Sequence, residues 1–582
     1  MATAAGSTKA PPQDIVAIFH ASFHPTRGND LDWSLKATDD LQLDGVEFSS
    51  LPSGLHLVEQ DVVYFTKDGL RGVCVFTRRQ TSEQGQRGFR LSSLGILLAR
   101  SLRPRPWRHV PALKALVRDL HSDSAPPANS SQDVWEPARR FFELRKARLE
   151  DLGGAGGWHR WSEELEFDID DGGVEDVGDG YEQYTHASPT LHLPHLLRVL
   201  GPSSLTLYKH VLGRRRILIY TQPPVEAACF LCQVAADMCF EDQTTPATQG
   251  PNAAPQLKGK HKEGINVLGS VTLHDVDMLE RESRTGRGWI ACTTDTVFLE
   301  KPQYYDLLID LTSYAPTERR ATARPGLQLA IKELSARRPT YRLSTIRFTW
   351  SDVKLWTELD RILQLDADTN GVARARAHRA SAPVWAWADA WGVYEDVCVV
   401  CARLCSGLWR SDNSNGSSGS REQWGSPRER SGRRRAHVRA YGDGIEGRRS
   451  SYRPQDDDDV GKYGSGSSGD EDEDGAVLVR SRQTRTTLAL LQTFHAQTRF
   501  LLSRLATVLP STASPLPDAQ LTPRDLLVLA LGPLSSLDAR FVEWLAEEYA
   551  GGARVSVRRG WRDLLGGLVG AAVGGSGTAS SS

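Results

Sequence analysis

The sequence predicts a mixed fold of three successive parts: an α+β N-terminal lobe, an α/β central lobe and a helical C-terminal lobe. Three observations predict it. Two β-hairpin patterns fall within the first 80 residues, an apolar strand precedes prolines and an apolar helix at 216–240, and leucines follow one helical face after residue 486. With 582 residues, of which 40% are hydrophobic, the chain is long enough for several cores.

The N-terminal lobe is predicted to span residues 14–152, after a disordered leader at 1–13. The stretch "DIVAIFHASFHP" is rich in β-branched and aromatic residues, and "TRGND" offers a turn before "LDWSL". A second hairpin is predicted at 61–79, where a Lys-Asp-Gly turn supplies the positive φ that a tight hairpin needs. Apolar residues at helical spacing predict a helix at 107–120.

The central lobe is predicted to span residues 189–335, after a Gly- and Asp-rich surface loop at 153–188. In "LYKHVLGRRRILIYTQPPVEA" a helix, a strand and a proline-marked turn follow one another. The strand is almost entirely apolar, which is typical of a parallel strand covered on both faces. The stretches "GINVLGSVTLHDVDML" and "GWIACTTDTVFLEKPQYYDLLIDL" continue the lobe with further strands and helices.

The rest of the chain is divided into a helical region at 336–410, a disordered charged insertion at 411–480, a helical C-terminal lobe at 481–570 and a disordered tail at 571–582. The insertion combines Ser, Gly and Arg with acidic runs, and this composition buries too little apolar area to offset chain entropy. In the C-terminal lobe Thr522 is predicted to cap a helix, with Pro523 at its first position and Asp525 facing the dipole. The stretch "ARVSV" at 553–557 predicts one late strand.

The sequence contains no phosphate-binding loop, nucleophile elbow, zinc-protease motif or dinucleotide-binding motif, so we expect no catalytic residue and no cofactor. The formal net charge of -2 gives no general attraction to nucleic acid, and none is expected as a partner. The eight cysteines lie mostly in apolar runs, which is typical of reduced thiols. Cys229 with Cys232, and Cys398 with Cys401 and Cys405, are candidate zinc ligands. Buried thiols explain them better, because no complementary pair occurs at zinc-ribbon spacing.

The sequence shows no signal peptide and no apolar stretch of the length of a membrane span, which predicts a cytoplasmic protein. The Arg-rich stretch at 421–439 could contact an anionic membrane surface, although a solvated charged linker is the simpler interpretation. Ser467 and Ser468 precede "GDEDED", so they are candidate phosphorylation sites for acidophilic kinases.

Arg214, Arg215 and Arg216 form the candidate partner surface. Basic groups of this kind can bind phosphate or acidic partners. The arginines come at the end of a helix that begins near Gly201, however, and helix C-termini favour cations. In open α/β sheets ligands bind beyond the carboxyl ends of the strands, whereas these arginines precede their strand. We therefore favour a structural role and keep the partner surface as the alternative.

Three separated segments together resemble the DENN-domain family, in particular its LCHN-type branch and fungal relatives with a C-terminal domain of unknown function. They are "LDGVEFSSLPSGLHLVEQDVVYF", "LYKHVLGRRRILIYTQPPVEA" and "WIACTTDTVFLEKPQYYDLLID", and "LGPLSSLDARFVEWLAEEYAGG" is similar to the tail of that branch. The resemblance implies a tripartite DENN module with a longin-like N-terminal lobe, a central α/β lobe and a helical C-terminal lobe. The motif residues expected at turns and strand ends are Gly45, Gly54, Pro223, Pro224, Thr293 and Thr294.

The resemblance also implies a partner and an activity. DENN-domain proteins typically engage Rab-type small GTPases in vesicle trafficking and promote GDP release without bond-making chemistry, by binding the nucleotide-free GTPase more tightly. The GTPase is expected against the N-terminal and central lobes of a protein that is cytoplasmic and peripheral to intracellular membranes. A non-enzymatic GTPase-binding adaptor or scaffold is the alternative. A third interpretation is an arginine supplied to the GTPase, as in folliculin-like assemblies.

Overall fold

The fold is described from a computed structural model, in which the chain divides into two units. Residues 1–393 and 478–582 form the first unit, and 394–477 form the second. All contacts discussed below lie within the first unit. The structure describes residues 11–81, 88–101, 103–121, 134–148, 151–153, 161–162, 164–165, 188–240, 257–261, 263–312, 328–334, 341–345, 350–368, 470–509, 519–533, 535–551 and 554–558.

The N-terminal lobe is built on a five-stranded antiparallel sheet in the order β2-β1-β5-β4-β3. Both predicted hairpins are confirmed. Asp68 (φ 47°) and Gly69 (φ 80°) form the tight turn between the third and fourth strands, as the Asp-Gly pair predicts. The strands are β1 (Ile15–His24), β2 (Gly28–Lys36), β3 (Gln60–Lys67), β4 (Leu70–Gln80) and β5 (Phe89–Leu98).

Short helical segments complete this lobe. Helix α1 (Val46–Ser50) and a 3-10 turn (Leu55–Leu57) connect β2 to β3. The predicted helix at 107–120 is confirmed as α2 (Val110–His121), whose Leu113, Leu116 and Val117 are buried. It packs beside α3 (Glu136–Arg145). Two short strands, β6 (Arg100–Ser101) and β7 (Asp151–Gly153), pair in parallel.

The central lobe contains a six-stranded sheet in the order β13-β12-β11-β8-β10-β9. Strands β8 to β11 pair in parallel, and β12 and β13 extend the sheet antiparallel. The strands are β8 (Arg216–Tyr220), β9 (Asn266–Ser270), β10 (Trp289–Thr293), β11 (Leu307–Asp310), β12 (Gln328–Leu334) and β13 (Tyr341–Thr345). The helices of this lobe are α4 (Leu193–Leu200), α5 (Ser204–Leu212), α6 (Glu226–Asp237) and α7 (Val276–Thr285).

The strand β13 corrects the predicted border of the central lobe. A helical region was predicted from residue 336, but β13 lies beyond that border and pairs with β12. An antiparallel edge added to a parallel sheet is common in large sheets. The prediction of helix is therefore wrong for these five residues, because a five-residue alternating segment carries too little periodic signal to set the border from sequence.

The helical region and the C-terminal lobe pack together and are mainly helical. The helical region contributes α8 (Val353–Asp368), and the C-terminal lobe contributes α9 (Asp470–Val508), α10 (Pro523–Val528) and α11 (Ser536–Tyr549). Strands β14 (Ala519–Leu521) and β15 (Val555–Val557) pair in parallel. The predicted cap of α10 is confirmed, since Thr522 and Asp525 form a reciprocal capping box. Helix α9 begins ahead of the predicted end of the charged insertion at 480.

One hydrophobic core connects the three lobes. Tyr208 of α5 packs on Phe494 of α9 with ring centroids 5.1 Å apart, and its hydroxyl lies 2.8 Å from the Thr498 hydroxyl. A second apolar cluster, which includes Trp289 and Phe298, also packs against the central sheet. The two clusters cover both faces of the central strands, as their nearly continuous apolar sequences predict.

Candidate functional site

The N-terminal and central lobes meet where β3 passes beside β9. The Thr66 hydroxyl donates to the Val267 carbonyl at 3.4 Å. Gly269 has φ 76°, and a Cβ atom at this position would lie 2.3 Å from the Tyr64 carbonyl oxygen. The two backbones therefore approach more closely than any residue with a side chain allows.

A buried carboxylate at the start of β3 also joins the two lobes. Asp61 accepts hydrogen bonds from the backbone N–H groups of Val225 at 2.7 Å and Glu226 at 3.3 Å, at the N-terminus of α6. A carboxylate at this position satisfies free helix N–H groups and faces the positive end of the dipole. Burial raises the pKa of Asp61, although these N–H donors favour its ionised form. Asp61 and Val225 are 164 positions apart, so the sequence alone does not predict this contact. The one local signal is that α6 begins without a side-chain cap of its own.

The carboxyl ends of the parallel strands meet the α1 region of the N-terminal lobe. The Thr294 hydroxyl, after β10, donates to the Ser53 carbonyl at 2.7 Å. The His274 ring, after β9, stacks on Phe48 of α1 with centroids 3.8 Å apart. Open α/β sheets usually bind ligands at this edge. Here the N-terminal lobe covers the edge, so both lobes contribute residues to the surface beside it.

Two glycines shape the N-terminal side of this junction. Gly45 (φ 85°) precedes α1 and Gly54 (φ 88°) precedes the 3-10 turn, which confirms the predicted turns. A Cβ atom at Gly54 would lie 3.2 Å from Cγ of Pro223, in the proline pair that follows β8. Two of the motif segments quoted above are therefore in direct contact.

Exposed apolar side chains lie around this junction. Leu57 in the 3-10 turn is 67% exposed, Leu273 after β9 is 45% exposed, and Val297 after β10 is 38% exposed. The backbone N–H of Leu273 donates to Asp295 at 3.1 Å, so the loops after β9 and β10 are tied together. We call Leu57, Leu273 and Val297 the seam surface. A single exposed apolar residue needs no explanation. Three of them, on segments that meet at a junction of two lobes, make this surface a candidate for contact with a protein partner.

The first two arginines of the candidate partner surface contact α11. Arg214 is buried, lies 3.6 Å from a Glu548 carboxylate oxygen and donates to the Tyr549 hydroxyl at 3.3 Å. Arg215 pairs with Glu547 at 2.7 Å. The motif "GRRRILIY" thus binds the "EEY" of the tail segment, and opposite charges in these two motifs are the signal that could have predicted it. A contact of Arg214, Arg215 or Arg216 with another protein stays a prediction.

The third arginine holds the central sheet together. Arg216 Nη2 and Nε donate to the two carboxylate oxygens of Asp306 at 2.7 and 3.0 Å, and Lys332 lies 3.3 Å from the same carboxylate. Burial opposes ionisation of Asp306, but the hydrogen bonds and charge of Arg216 outweigh it and hold the pKa of Asp306 well below its usual range. The pair ties β8 to the start of β11.

The substitution Asp306→Asn is expected to lower the free energy of unfolding at pH 7 by about 2 kcal/mol, because a bidentate charge-assisted pair is lost. Since the pKa of Asp306 is depressed by folding, its stabilisation is present above the unfolded-state pKa of about 4 and is lost as the pH falls through the folded-state pKa. Urea unfolding between pH 3 and 7 should therefore show a difference in the free energy of unfolding between wild type and variant, and this difference should become smaller below pH 4. The exposed Asp40→Asn serves as the control, and a difference that stays constant to pH 3 would contradict the prediction.

The other candidate residues are two groups of cysteines and a pair of serines. Cys229 and Cys232 are buried, as the thiol interpretation predicts, and the Cys229 and Cys292 sulfur atoms lie 3.5 Å apart. The hydrogen bond with Cys292, followed by burial, raises the pKa of Cys229 well above its usual range. In the described residues no group of three or more potential ligands could hold a metal ion. Cysteines 398, 401 and 405, together with Ser467 and Ser468, lie outside the described residues.

No helix in the described ranges combines the length and the apolar content that a bilayer crossing requires.

Comparison with known proteins identifies the family. A family model described as DENN domain-containing protein 11 matches residues 18–321, which is more than half of the chain. The chain belongs to this DENN-domain family. The resemblance inferred from the sequence motifs is thereby confirmed, and the mixed α+β and α/β fold class is confirmed with it. The match covers both sides of the seam surface of this DENN-domain protein.

Several curated relatives of the DENN-domain chain share this region. It is 28% identical over 342 residues to DENN domain-containing protein 11 of Rattus norvegicus, which is 56% of this chain and 63% of the relative. With the Danio rerio protein of the same name it shares 29% over 332 residues, or 56% and 59% of the two chains. It is 26% identical over 387 residues to Uncharacterized protein ANR2 of Saccharomyces cerevisiae, covering 64% and 69%. The chain thus spans less than two thirds of the rat and Danio rerio relatives.

Proposed function

We propose that this DENN-domain protein is a guanine-nucleotide exchange factor for a Rab-type small GTPase in membrane traffic, and that the seam surface contacts the GTPase. The observation that carries the proposal is the family match across both lobes, since DENN-domain proteins generally act as Rab exchange factors. The seam surface supports the location, because Leu57, Leu273 and Val297 come from both lobes and remain exposed beside their junction.

Exchange of this kind needs no acid, base or nucleophile. A protein that binds the nucleotide-free GTPase more tightly than the GDP-bound form lowers the affinity for GDP by the same factor, because the two binding equilibria are linked. Apolar side chains on a preformed surface suit this role, since they can bind a segment of the GTPase that moves when nucleotide leaves. No cofactor is required by this mechanism.

The same proposal includes a location. The protein would act in the cytoplasm and at the periphery of intracellular membranes, with the Arg-rich stretch at 421–439 contacting anionic lipid. That stretch lies outside the described residues.

The double substitution Leu57→Asp with Leu273→Asp is expected to slow GDP release at least tenfold. Loss of an interface hot spot costs about 2 kcal/mol of binding or more, and about 1.4 kcal/mol already corresponds to a factor of ten. Release of a fluorescent GDP analogue from a panel of Rab GTPases measures the effect with the full-length protein. The matched control is Leu527→Asp on α10, where the leucine is 54% exposed and lies in the C-terminal lobe.

Three outcomes decide the proposal. Acceleration of one or more Rabs by wild type, lost in the double variant and kept in the control, supports both the activity and its surface. Acceleration that the double variant retains would remove the seam surface from the proposal. If no Rab is accelerated and pull-downs retain the GTP-locked form instead, the protein is an adaptor and the exchange proposal is overturned.

A further inference from the structure

A small cavity lies between the two lobes and shares no residue with the seam surface. Its volume is about 30 Å³, which is room for a ligand the size of a water molecule. From the N-terminal lobe it is lined by Tyr64, Arg71 and Trp107, and from the central lobe by Phe230, Gln233 and Gly269, among other residues.

Two lining residues carry buried donors without an acceptor. The Tyr64 hydroxyl and the Trp107 indole N–H are buried, and neither has a hydrogen-bond partner in the described part of the chain. Burial raises the pKa of Tyr64 well above its usual range, so its hydroxyl keeps the proton. The indole N–H can only donate. Buried polar groups are nearly always hydrogen-bonded, and both of these residues line the same cavity.

The third lining residue supplies a positive charge. The Arg71 guanidinium donates to the Thr66 hydroxyl at 3.1 Å and to the Asn266 side-chain carbonyl at 3.3 Å, which are neutral acceptors. Within the described residues it forms no ion pair with a carboxylate. Burial, and next the charge of Arg287, lower the pKa of Arg71, yet a guanidinium remains protonated at neutral pH. The hydrogen-bond acceptors of this partly buried cation are thus neutral, and it lines the same cavity as the two unsatisfied donors. The Glu282 and Glu263 carboxylates raise the pKa of Arg71 by their charge, without forming an ion pair with it.

We propose that this cavity binds a single small inorganic anion, chloride under ordinary conditions, held by Arg71, the Tyr64 hydroxyl and the Trp107 indole N–H. A bound water would accept at most two of these hydrogen bonds and would leave Arg71 without a counter-charge in direct contact. An anion accepts from all three donors and compensates that charge. No covalent chemistry is involved.

The anion would stabilise the docking of the two lobes. Tyr64 and Arg71 belong to the N-terminal sheet, whereas Phe230 and Gln233 on α6 and Gly269 on β9 belong to the central lobe. A ligand that binds only when both lobes are in place stabilises the docked state. Above the dissociation constant, this stabilisation grows with the logarithm of the ligand concentration.

Thermal unfolding of the full-length protein at fixed ionic strength tests the proposal. The salt is changed from sodium gluconate to sodium chloride or sodium bromide. At a hundredfold excess over the dissociation constant we expect the midpoint to rise by about 3 °C, and to rise further with the logarithm of the halide concentration. Arg71→Gln should abolish the halide effect. The control Arg281→Gln removes the same charge from an arginine on α7 that is 65% exposed, and it should keep the effect.

Two further measurements keep the test decisive if Arg71→Gln fails to fold. Tyr64→Phe removes one donor with little change in shape, and we expect a weaker halide dependence. Crystals grown in bromide should show anomalous density within hydrogen-bonding distance of Arg71. Equal midpoints in gluconate and halide for the wild type would overturn the proposal. Bromide density without any effect on the midpoint would identify an adventitious ion only, and would overturn it too.

Discussion

The substitution Lys209→Met is expected to lower the free energy of unfolding by about 3–5 kcal/mol, because it removes one partner of a buried ion-pair network. Lys209 lies on α5 and is buried, with its Nζ atom 2.7 Å from Asp352 and 2.6 Å from Asp538. Burial opposes its charge, but Asp352 and Asp538 outweigh this effect and raise the pKa of Lys209. The variant would leave two buried carboxylates without their cation.

The network matters because it connects separate parts of the fold. The second carboxylate oxygen of Asp538 on α11 accepts from the Ser351 hydroxyl at 2.8 Å and from the Gly532 backbone N–H at 2.9 Å. Asp352 immediately precedes α8, and α5 leads directly into β8. One buried lysine thus joins the C-terminal helices to the central lobe, and its loss should weaken the packing of these helices on that lobe.

Urea unfolding at pH 7 measures this effect, with Lys354→Met as the matched control. Lys354 is exposed at the start of α8, so its replacement should change the free energy of unfolding by no more than about 0.5 kcal/mol.

Because folding raises the pKa of Lys209, the stabilisation by Lys209 is fully present below the unfolded-state pKa of about 10.4 and is lost only at higher pH. The difference from wild type should therefore be constant from pH 6 to 9. A loss below 1 kcal/mol would show that the network carries little stability.

The features that the sequence predicted correctly are those set by neighbouring residues. The Asp68–Gly69 turn follows from two adjacent residues that tolerate positive φ, and the α10 cap follows from Thr522 and Asp525 at the capping-box spacing. The core face of α9 follows from leucines at helical spacing. Each of these features depends on residues that are near one another in the chain, so the sequence alone is sufficient to predict it.

The features that the sequence could not predict depend on distant residues. Lys209 and Asp538 are 329 positions apart, and nothing local indicates that "LYKHVL" contains a buried, paired lysine. Leu57, Leu273 and Val297 have the same hydrophobic character as core residues, so their exposure becomes visible only when both lobes are placed. The stretch "GINVLGSVTLHDVDML" was predicted to continue the lobe with strand and helix, but the positive φ of Gly269 is required only by the approach of β3.

Gly269→Ala is the second substitution with a large expected effect, and it probes the lobe junction directly. A methyl group at this position would lie 2.3 Å from the Tyr64 carbonyl oxygen and 3.0 Å from the Phe65 nitrogen, and both contacts are with backbone. Neither atom can move without shifting β3, and φ 76° is unfavourable for alanine. We expect a loss of about 3 kcal/mol or more in the free energy of unfolding from strain and overpacking together.

Gly286→Ala separates the clash from the backbone strain. Gly286 at the end of α7 has a similar φ of 72°, but no atom lies within 4 Å of an added Cβ. Its replacement should lower the free energy of unfolding only by the roughly 1–2 kcal/mol that a left-handed backbone conformation costs an alanine. Urea unfolding of both variants then isolates the contribution of the close approach between β3 and β9. If the two alanines lower the free energy of unfolding equally, the lobes tolerate a wider gap than the structure shows.

Gly269→Ala also tests whether the seam surface depends on lobe docking. If Gly269→Ala, unlike Gly286→Ala, slows GDP release from a responsive Rab at a temperature where both variants are folded, the docking of the two lobes is required for the seam surface to act.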